Sequence, residues 1–346
     1  MKILINTPDI SKLGGVANHY KGLKPYWSQN VSYNFIGSRK GIPGPIILVF
    51  DYIKFFFLCI FCNYDVILLN PSLGKTAIKR DALFLRIAKW FKIKTVVFFH
   101  GWSSEVVSQL NTDSTSFAQS FNRADKIIVL AKAFKNDLLN WRIKKTIHIS
   151  STKVNDEFIK SFSIENKKES FDVLFLTRIE TYKGIFTTLE AFKFVKSICP
   201  SAKLTIAGDG SQLGKAKEIV QSNKLKDVYF LGNISGELLA QTFFNSAIYI
   251  LPSHGEGMPT SVLEAMAFGL PIISRPVGGL VDFFEDGKMG YLIESLEPQD
   301  YAKKIIQLIE NPDEIKEIGR YNHAYVKKNF MASKVAREME KILTDD

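Results

Sequence analysis

Short apolar runs alternate with longer amphipathic stretches along both halves of the chain. The runs have the length of buried strands, and the stretches between them have the length of helices. In the first half the predicted strands are Lys2–Asn6, Val66–Leu69, Thr95–Phe99 and Lys126–Leu130. In the second half they are Asp172–Thr177, Lys203–Ala207, Val228–Leu231, Ile248–Leu251 and Pro271–Ser274. This alternation is typical of parallel α/β units.

A polar segment, Ser161–Ser170, separates the two halves and predicts a linker between domains. The 346 residues leave room for two domains of ordinary size. We therefore predict an α/β fold of two Rossmann-like, doubly wound domains, residues 1–160 and 165–327, that face each other across a cleft. Because ligands bind such sheets at the carboxyl ends of the strands, the residues after each strand are the candidate site residues.

Charge is unevenly distributed along the chain. The net charge of +10 is the sum of +13 for residues 1–160 and −3 for the remainder. A basic half indicates an anionic partner, and nucleic acid, an acidic membrane surface and an anionic acceptor all fit that description. No nucleic-acid-binding motif accompanies the charge, so we predict no nucleic-acid partner.

Two features favour a cytoplasmic protein. The chain begins with a predicted strand rather than a secretion signal, and its most apolar stretch, Pro45–Leu69, is interrupted by three charged residues and is not predicted to span a membrane. The pair Cys59 and Cys62 could be a redox motif, but its apolar surroundings favour buried thiols in a reducing compartment.

The segment Ile248–Gly269 carries the strongest chemical signal. A strand leads into a loop in which Gly255 and Gly257 flank Glu256, and a helix is predicted to open at Pro259. The start of that helix presents backbone N–H groups and a positive dipole end to a phosphate, and Glu264 lies further along it. The predicted ligand-binding residues of this segment are His254, Glu256, Gly257, Met258, Pro259, Thr260, Ser261 and Glu264.

Cations and glycines follow other predicted strands. Arg178 and Lys183 lie on a strand-to-helix turn, where they could neutralise a diphosphate and stabilise the charge that develops as it leaves. Gly14 and Gly15 follow the first strand and allow close approach to a phosphate. His100 ends another strand and could hydrogen-bond a reacting sugar or manage a proton. No Asp-x-Asp pair stands at a strand end, so we predict no metal and no other cofactor.

Further motifs follow along the second half, and the complete set in chain order is Arg178, Lys183-Gly184, Gly208-Asp209-Gly210, Glu256, Glu264, Val277-Gly278-Gly279, Glu285-Asp286-Gly287 and Gly290. In this order the motifs resemble the family-four retaining glycosyltransferases of the GT-B fold, known as glycosyl transferases group 1. The resemblance covers about residues 172–293 and is loose in the first half. One departure is Thr177, where many relatives have glycine before the arginine.

The resemblance implies roles for these residues. Glu264 would bind the ribose and Glu256 the sugar, while Arg178 and Lys183 would hold the diphosphate of a nucleotide sugar, with UDP favoured over GDP as carrier. Gly208 and Asp209 would belong to the same donor site, and His100 would approach the donor sugar from the acceptor domain. A last helix, about residues 328–346, would rejoin the first domain. Transfer would retain the anomeric configuration of the sugar. We expect this transfer to proceed by front-face substitution.

A helix predicted over Gly74–Lys92 places its basic residues on one face. This strip predicts docking on an anionic membrane, at the inner face of the cytoplasmic membrane. The expected acceptor is a glycan or a lipid-linked acceptor of cell-surface polysaccharide synthesis, such as that of lipopolysaccharide, O-antigen or capsule. An ordinary solvated helix face is the alternative interpretation. For the activity, the alternatives are a GT-B-like nucleotide-sugar epimerase or hydrolase and a non-catalytic binding protein. The strip consists of Lys75, Lys79, Arg86, Lys89 and the bordering Trp90.

Overall fold

A computed structural model describes residues 1–12, 14–167 and 170–345. The chain divides into two compact units. Unit 1 comprises Met1–Lys153 together with Ala332–Asp346, and unit 2 comprises Val154–Met331. No peptide bond between described residues is cis.

Unit 1 is built on a parallel sheet of six described strands in the order β2-β1-β3-β4-β5-β6. The order reverses between β1 and β3, which makes this pair the switch point of a doubly wound sheet. The strands are β1 (Lys2–Pro8), β2 (Asn30–Ile36), β3 (Val66–Leu69), β4 (Lys94–Phe98), β5 (Lys126–Val129) and β6 (Thr146–Ile149).

The helices of unit 1 cover both faces of this sheet, whose central strands are buried along their whole length. They are α1 (Gly15–Leu23), α2 (Gly44–Phe61), α3 (Lys75–Trp90), α4 (Ser104–Thr112), α5 (Thr115–Phe121), α6 (Lys132–Asn140) and the last helix of the chain, α13 (Ala332–Thr344), with a short 3₁₀ helix at Lys24–Tyr26. Helix α13 packs against α1.

Unit 2 repeats the architecture with its own core. Its sheet has the order β12-β11-β10-β7-β8-β9, and every pair is parallel. If β7 is numbered as the first strand of this sheet, the order read from the β9 edge is 3-2-1-4-5-6, which is the Rossmann order. The strands are β7 (Asp172–Leu176), β8 (Lys203–Ala207), β9 (Val228–Gly232), β10 (Ile248–Leu251), β11 (Ile272–Ser274) and β12 (Gly290–Leu292).

The helices of unit 2 alternate with these strands as the pattern of the sequence predicts. They are α7 (Ile185–Ile198), α8 (Leu213–Ser222), α9 (Gly236–Asn245), α10 (Thr260–Ala267), α11 (Pro298–Glu310) and α12 (Pro312–Asn329). Short 3₁₀ helices lie at Asp156–Ile159, Ile164–Asn166, Thr181–Lys183 and Gly278–Asp282.

The structure differs from the predicted division of the chain at 160–165. The described part of Ser161–Ser170 packs onto unit 2 rather than forming a free linker, and Lys168 and Glu169 lie outside the described residues. Ile159 is in the core of unit 2, and the Val154 N–H donates to the carbonyl of Phe330 at 2.8 Å. Because these contacts tie the segment down from its start, the boundaries lie after Lys153 and after Met331.

One described helix, Gly44–Phe61, is long and apolar enough by length and composition to cross a membrane, although only 22% of it is buried within the structure. Its two charged residues are Asp51 and Lys54. Cys59 is buried there and unpaired, and burial raises the pKa of its thiol to about 12. A thiol with so high a pKa is a poor nucleophile at neutral pH, which agrees with the predicted structural role of this cysteine.

Candidate functional site

The candidate site lies in unit 2, at the carboxyl ends of β7 and β10. These two strands are neighbours in the sheet, and the strand order reverses between them. At such a switch point the loops leave the sheet in opposite directions and open a crevice for a ligand. The loop after β7 carries Arg178 and Lys183, and the loop after β10 carries His254 and Glu256.

The β7 loop gathers two cations around one aromatic ring. Arg178 is exposed and donates a hydrogen bond to the hydroxyl of Tyr182. The Arg178 guanidinium lies 5.7 Å and the Lys183 ammonium 5.3 Å from the centre of the Tyr182 ring. At these distances the ring face attracts both cations and holds them near each other. The sequence analysis did not single out Tyr182, although it stands in the same turn as both cations.

Lys183 and Glu256 form a buried ion pair between the two loops. The ammonium Nζ donates to the carboxylate Oε1 at 2.6 Å, and the side chains are only 11% and 10% exposed. A buried pair of this kind is stable only while each charge compensates the other. From the sequence, the two residues are expected to bind different parts of a ligand, and the structure shows that their charged groups are in contact.

A glycine places the Lys183 turn against the β10 loop. Gly184 has φ of 83°, in the left-handed region that favours glycine. A Cβ atom on Gly184 would lie 2.4 Å from the carbonyl oxygen of Pro252. The backbone N–H of His254 also donates to the carbonyl of Tyr182 at 2.8 Å. The β7 and β10 loops are therefore joined by backbone packing as well as by the ion pair.

The motif Val277-Gly278-Gly279 holds Glu256 from the other side. A Cβ atom on Gly278 would lie 2.3 Å from the carbonyl oxygen of Gly257 and 2.4 Å from that of Glu256. The Gly279 N–H donates to the Gly257 carbonyl at 2.8 Å. These contacts fix the loop that carries Glu256, so the two glycines have a structural reason of their own.

Helix α10 begins next to this loop. Thr260 is its first residue and Pro259 is the residue that caps it, so the prediction that Pro259 is the first helical residue was wrong by one position. The Tyr249 hydroxyl lies 2.7 Å from Ser261 Oγ and donates to the carbonyl of Leu176 at 2.8 Å. The amino end of α10 is thereby anchored to β7, with its dipole directed at the crevice.

The remaining predicted residues of unit 2 differ in how far they are buried. Glu264 is buried on α10 and Met258 is half-buried against the core. Packing requires glycine at position 208, because a Cβ atom there would lie 1.9 Å from the carbonyl oxygen of Thr177. Asp209 is exposed and accepts a hydrogen bond from the N–H of Gly210. His254 is exposed beside Glu256.

In unit 1, His100 lies in a polar cluster at the carboxyl end of the sheet. His100 Nε2 is 2.9 Å from Asn70 Oδ1, and the buried Tyr20 hydroxyl donates to the same oxygen. Burial lowers the pKa of His100 to about 3, so the ring is neutral at neutral pH. The buried His19 ring is a further neighbour, 5.3 Å from His100 between centres. The sequence analysis missed Asn70, Tyr20 and His19 as partners of His100.

The glycine pair of unit 1 begins α1. Gly14 has φ of 155° and caps the helix, whose first residue is Gly15. A Cβ atom on either glycine would meet nothing within 4 Å. Space therefore does not require glycine at these positions, and the open backbone there is accessible to a ligand. Leu13, the first residue of the predicted loop, lies outside the described residues.

The basic strip of α3 is weaker than the sequence predicts. Lys89 is bound to Asp125, and Lys75 pairs with Glu105 at 2.8 Å. Lys79 and Arg86 are exposed and line a groove of about 600 Å³ that α3 shares with α4 and α5. Two of the four basic residues are thus neutralised within unit 1, because acidic residues distant in sequence pack beside them.

Among the described residues, no three His, Cys, Asp or Glu side chains form a group that could hold a metal ion.

Comparisons with known proteins find glycosyltransferases similar to this chain. Residues 156–325, just under half of the chain, match the family described as glycosyl transferases group 1. An uncharacterized glycosyltransferase of Methanocaldococcus jannaschii is 28% identical over 77% of this chain and 66% of its own length. The capsular polysaccharide biosynthesis glycosyltransferase CapM of Staphylococcus aureus is 24% identical over 63% of this chain and 60% of its own length. The matched part thus spans about two thirds or less of these relatives.

Among solved structures, HepE of Anabaena, crystallised with UDP and glucose, matches this chain with a TM-score of 0.77 at 18% identity, and the match covers 100% of both chains. This likeness shows the fold, which is the GT-B fold that the resemblance implied. In unit 2, residues 156–325 are similar to the glycosyl transferases group 1 family.

Proposed function

We propose that this protein is a retaining glycosyltransferase that transfers a hexose-type sugar from a nucleotide diphosphate sugar, UDP before GDP, to a hydroxyl of a glycan or lipid-linked acceptor. The observation that carries the proposal is the buried Lys183–Glu256 pair, at the switch point of the unit 2 sheet and beside the start of α10. The match of residues 156–325 to the glycosyl transferases group 1 family and the likeness in fold to HepE, crystallised with UDP and glucose, support it.

The chemistry follows from the positions of the charges. Lys183 and Arg178 would neutralise the diphosphate, together with the dipole of α10. As Lys183 turns to the phosphate, Glu256 can accept a hydrogen bond from a sugar hydroxyl in place of the ammonium. Glu264 would accept from the ribose hydroxyls. The cations can thus stabilise the leaving group, which is why we propose a metal-independent reaction.

Retention is assigned to front-face substitution. The bond from the anomeric carbon to the phosphate oxygen breaks, and the bond to the acceptor oxygen forms on the same face. The leaving phosphate oxygen takes the proton of the acceptor hydroxyl. For His100 we propose a hydrogen bond to a sugar from its neutral ring. Mass spectrometry of a stalled reaction tests the mechanism, because a covalent glycosyl-enzyme would contradict it.

Donor binding is the first experiment. We expect one of UDP-, GDP- or ADP-sugars to raise the melting temperature of the purified protein, with EDTA present. Lys183→Met and Glu264→Ala should weaken that binding by about tenfold or more, because a charge-assisted hydrogen bond is lost. The exposed residues Lys193 and Glu218 supply matched controls, Lys193→Met and Glu218→Ala. Binding only with a divalent ion, or equal effects in the controls, would contradict the proposed site.

The acceptor side rests on the relatives and on charge. CapM acts in capsular polysaccharide biosynthesis by its name, and the basic first half of this chain fits an anionic partner. We propose a cytoplasmic enzyme of cell-surface polysaccharide synthesis, such as that of lipopolysaccharide, O-antigen or capsule, located peripherally on the inner face of the membrane. Incubation with donor and a lipid-linked glycan tests it, and conversion of donor without acceptor would favour a hydrolase or epimerase instead.

A further inference from the structure

Helix α2 attaches to unit 1 by one narrow stripe. Its buried residues are Ile47, Asp51, Phe55 and Cys59, spaced by four along the helix. Asp51 accepts hydrogen bonds from the N–H of Gly37 at 2.9 Å and from Arg39 at 2.6 Å. A helix that left the unit to cross a membrane would break these bonds and expose Phe55. The helix therefore stays on the surface of unit 1.

The outward side of α2 is apolar along the whole helix. At about 100° per residue the exposed apolar side chains fill a continuous arc of about 120° that holds no polar residue. Each of them is between 38% and 72% exposed. Proteins rarely leave so large an apolar patch in water unless it binds something. The residues of this arc, here the α2 outer face, are Ile46, Val49, Phe50, Ile53, Phe57, Ile60 and Phe61.

Aromatic and basic residues surround the α2 outer face. Trp90 of α3 is 76% exposed and contacts Phe56 and Phe91. The Arg39 guanidinium lies 5.0 Å from the centre of the Phe50 ring. From Arg39 to Lys92 the chain has nine basic and three acidic residues. Two of those acids, Asp51 and Asp81, are buried and paired with arginines.

We propose that the α2 outer face inserts into one leaflet of an anionic lipid bilayer, with the helix parallel to the surface. Apolar residues bordered by an exposed tryptophan and by lysine and arginine are the features of an interfacial helix. The same charge argues against a second copy as the occupant, because two basic surfaces would be brought together. This proposal rests on the membrane partner of the proposed function and specifies the surface that binds it. The α2 outer face replaces the α3 strip as the main contact with the membrane.

Vesicle binding of the full chain tests the proposal. We expect co-sedimentation with vesicles of 70% phosphatidylcholine and 30% phosphatidylglycerol, and weak binding to phosphatidylcholine alone. The double variant Ile53→Gln/Phe57→Gln should reduce the partition coefficient by about tenfold or more, because two inserted apolar side chains are lost. Lipids brominated in their acyl chains should quench the fluorescence of the wild-type protein, and Trp90→Phe should lose most of that quenching.

The matched control is Leu139→Gln/Ile198→Gln, which removes two exposed apolar side chains elsewhere, 50% and 59% exposed. It should bind vesicles like the wild type. Melting curves with and without nucleotide sugar verify that each variant is folded, and they report on the donor site independently of the vesicles. Equal vesicle binding by wild type and α2 variant would overturn the proposal. So would a dimer in lipid-free buffer that the α2 substitutions dissociate, since a second copy would then cover the face.

Discussion

The position of Lys183 depends on the residue that follows it. Gly184 adopts a left-handed backbone and lies against the carbonyl of Pro252, so that the ammonium reaches Glu256. The positions of the cations and the carboxylate after strands are visible in the sequence, but their pairing is not. The pairing depends on how closely the two loops pack, which is set by Gly184 and Gly278 rather than by the spacing of the charges.

Gly184→Ala should destabilise the protein by roughly 2–4 kcal/mol, because the left-handed backbone and the 2.4 Å approach to the Pro252 carbonyl both disfavour a Cβ. Urea denaturation gives the free energy of unfolding. The control is Gly214→Ala in α8, where a Cβ meets nothing within 4 Å and helix propensity favours alanine by about 0.5–1 kcal/mol. A similar loss in both variants would contradict this account.

At the scale of the elements, the sequence predicts the interior of each sheet well and its edges poorly. The nine predicted strands are all present, with boundaries within two residues. The missed strands β2, β6 and β12 lie at sheet edges. Edge strands are partly solvated, so their apolar signal is weaker: β6 has one buried residue among its four, and β12 has one among three. Strand β9, also at an edge, was predicted because Val228–Leu231 is a short apolar run.

Helix α2 shows the opposite limit. Its apolar composition was clear from the sequence, but composition alone does not say which residues are covered. The stripe of buried residues at a spacing of four appears only when the helix is placed on the sheet. For α3 the basic spacing was predicted correctly, whereas Asp125 and Glu105, which neutralise two of its lysines, come from later parts of the chain.

Helix α13 packs on unit 1 through a buried apolar face, and the buried carboxylate of Glu340 adds hydrogen bonds to it. Glu340 accepts hydrogen bonds from the N–H groups of Ser28 and Gln29, at 2.6 and 2.9 Å, and from the Ser28 hydroxyl at 2.8 Å. Glu340→Ala should lower the free energy of unfolding by roughly 2–3 kcal/mol, because three hydrogen bonds to a charged carboxylate are lost. Chemical denaturation of the full chain, followed by circular dichroism, measures the change.

Glu338→Ala is the matched control on the same helix. Glu338 is 56% exposed and lies 3.9 Å from Lys334, so its removal should change the stability by less than about 0.5 kcal/mol. If Glu340→Ala were as mild as this control, the three hydrogen bonds would not help to secure α13.

At the scale of the whole molecule, the chain enters and leaves unit 2 at adjacent points. Val154 and Met331 form a parallel bridge, and the segments beyond them belong to unit 1. A linear pattern cannot reveal such a pairing, because it joins residues far apart in sequence. The prediction of two doubly wound sheets required only the alternation of strands and helices, which is local and was visible in the sequence.

Two histidines of unit 1, His19 and His100, make the stability of the protein depend on pH. Burial, with the interaction with His100 and the charge of Lys153 as smaller causes, lowers the pKa of His19 well below 6.5, and burial lowers that of His100 to about 3. The unfolded chain therefore binds protons below pH 6.5 that the folded protein does not. Stability falls as the pH decreases from about 6.5 toward these lowered values. Asp81, whose pKa burial raises to about 6, acts in the opposite direction.

A comparison of variants separates the histidine contribution from that of Asp81. At about 1.4 kcal/mol per pH unit, one histidine that stays neutral reduces stability by roughly 1–2 kcal/mol between pH 7 and pH 5. His19→Phe keeps an aromatic ring in the same buried position but removes this proton, so its free energy of unfolding should decline less over the interval by that amount. Asp81 is present in both proteins and cancels. His254→Phe, at an exposed position, should follow the wild type. Denaturant unfolding at half-unit steps from pH 7 to pH 5 measures the three slopes, and parallel slopes for His19→Phe and the wild type would mean that His19 is protonated in the folded protein.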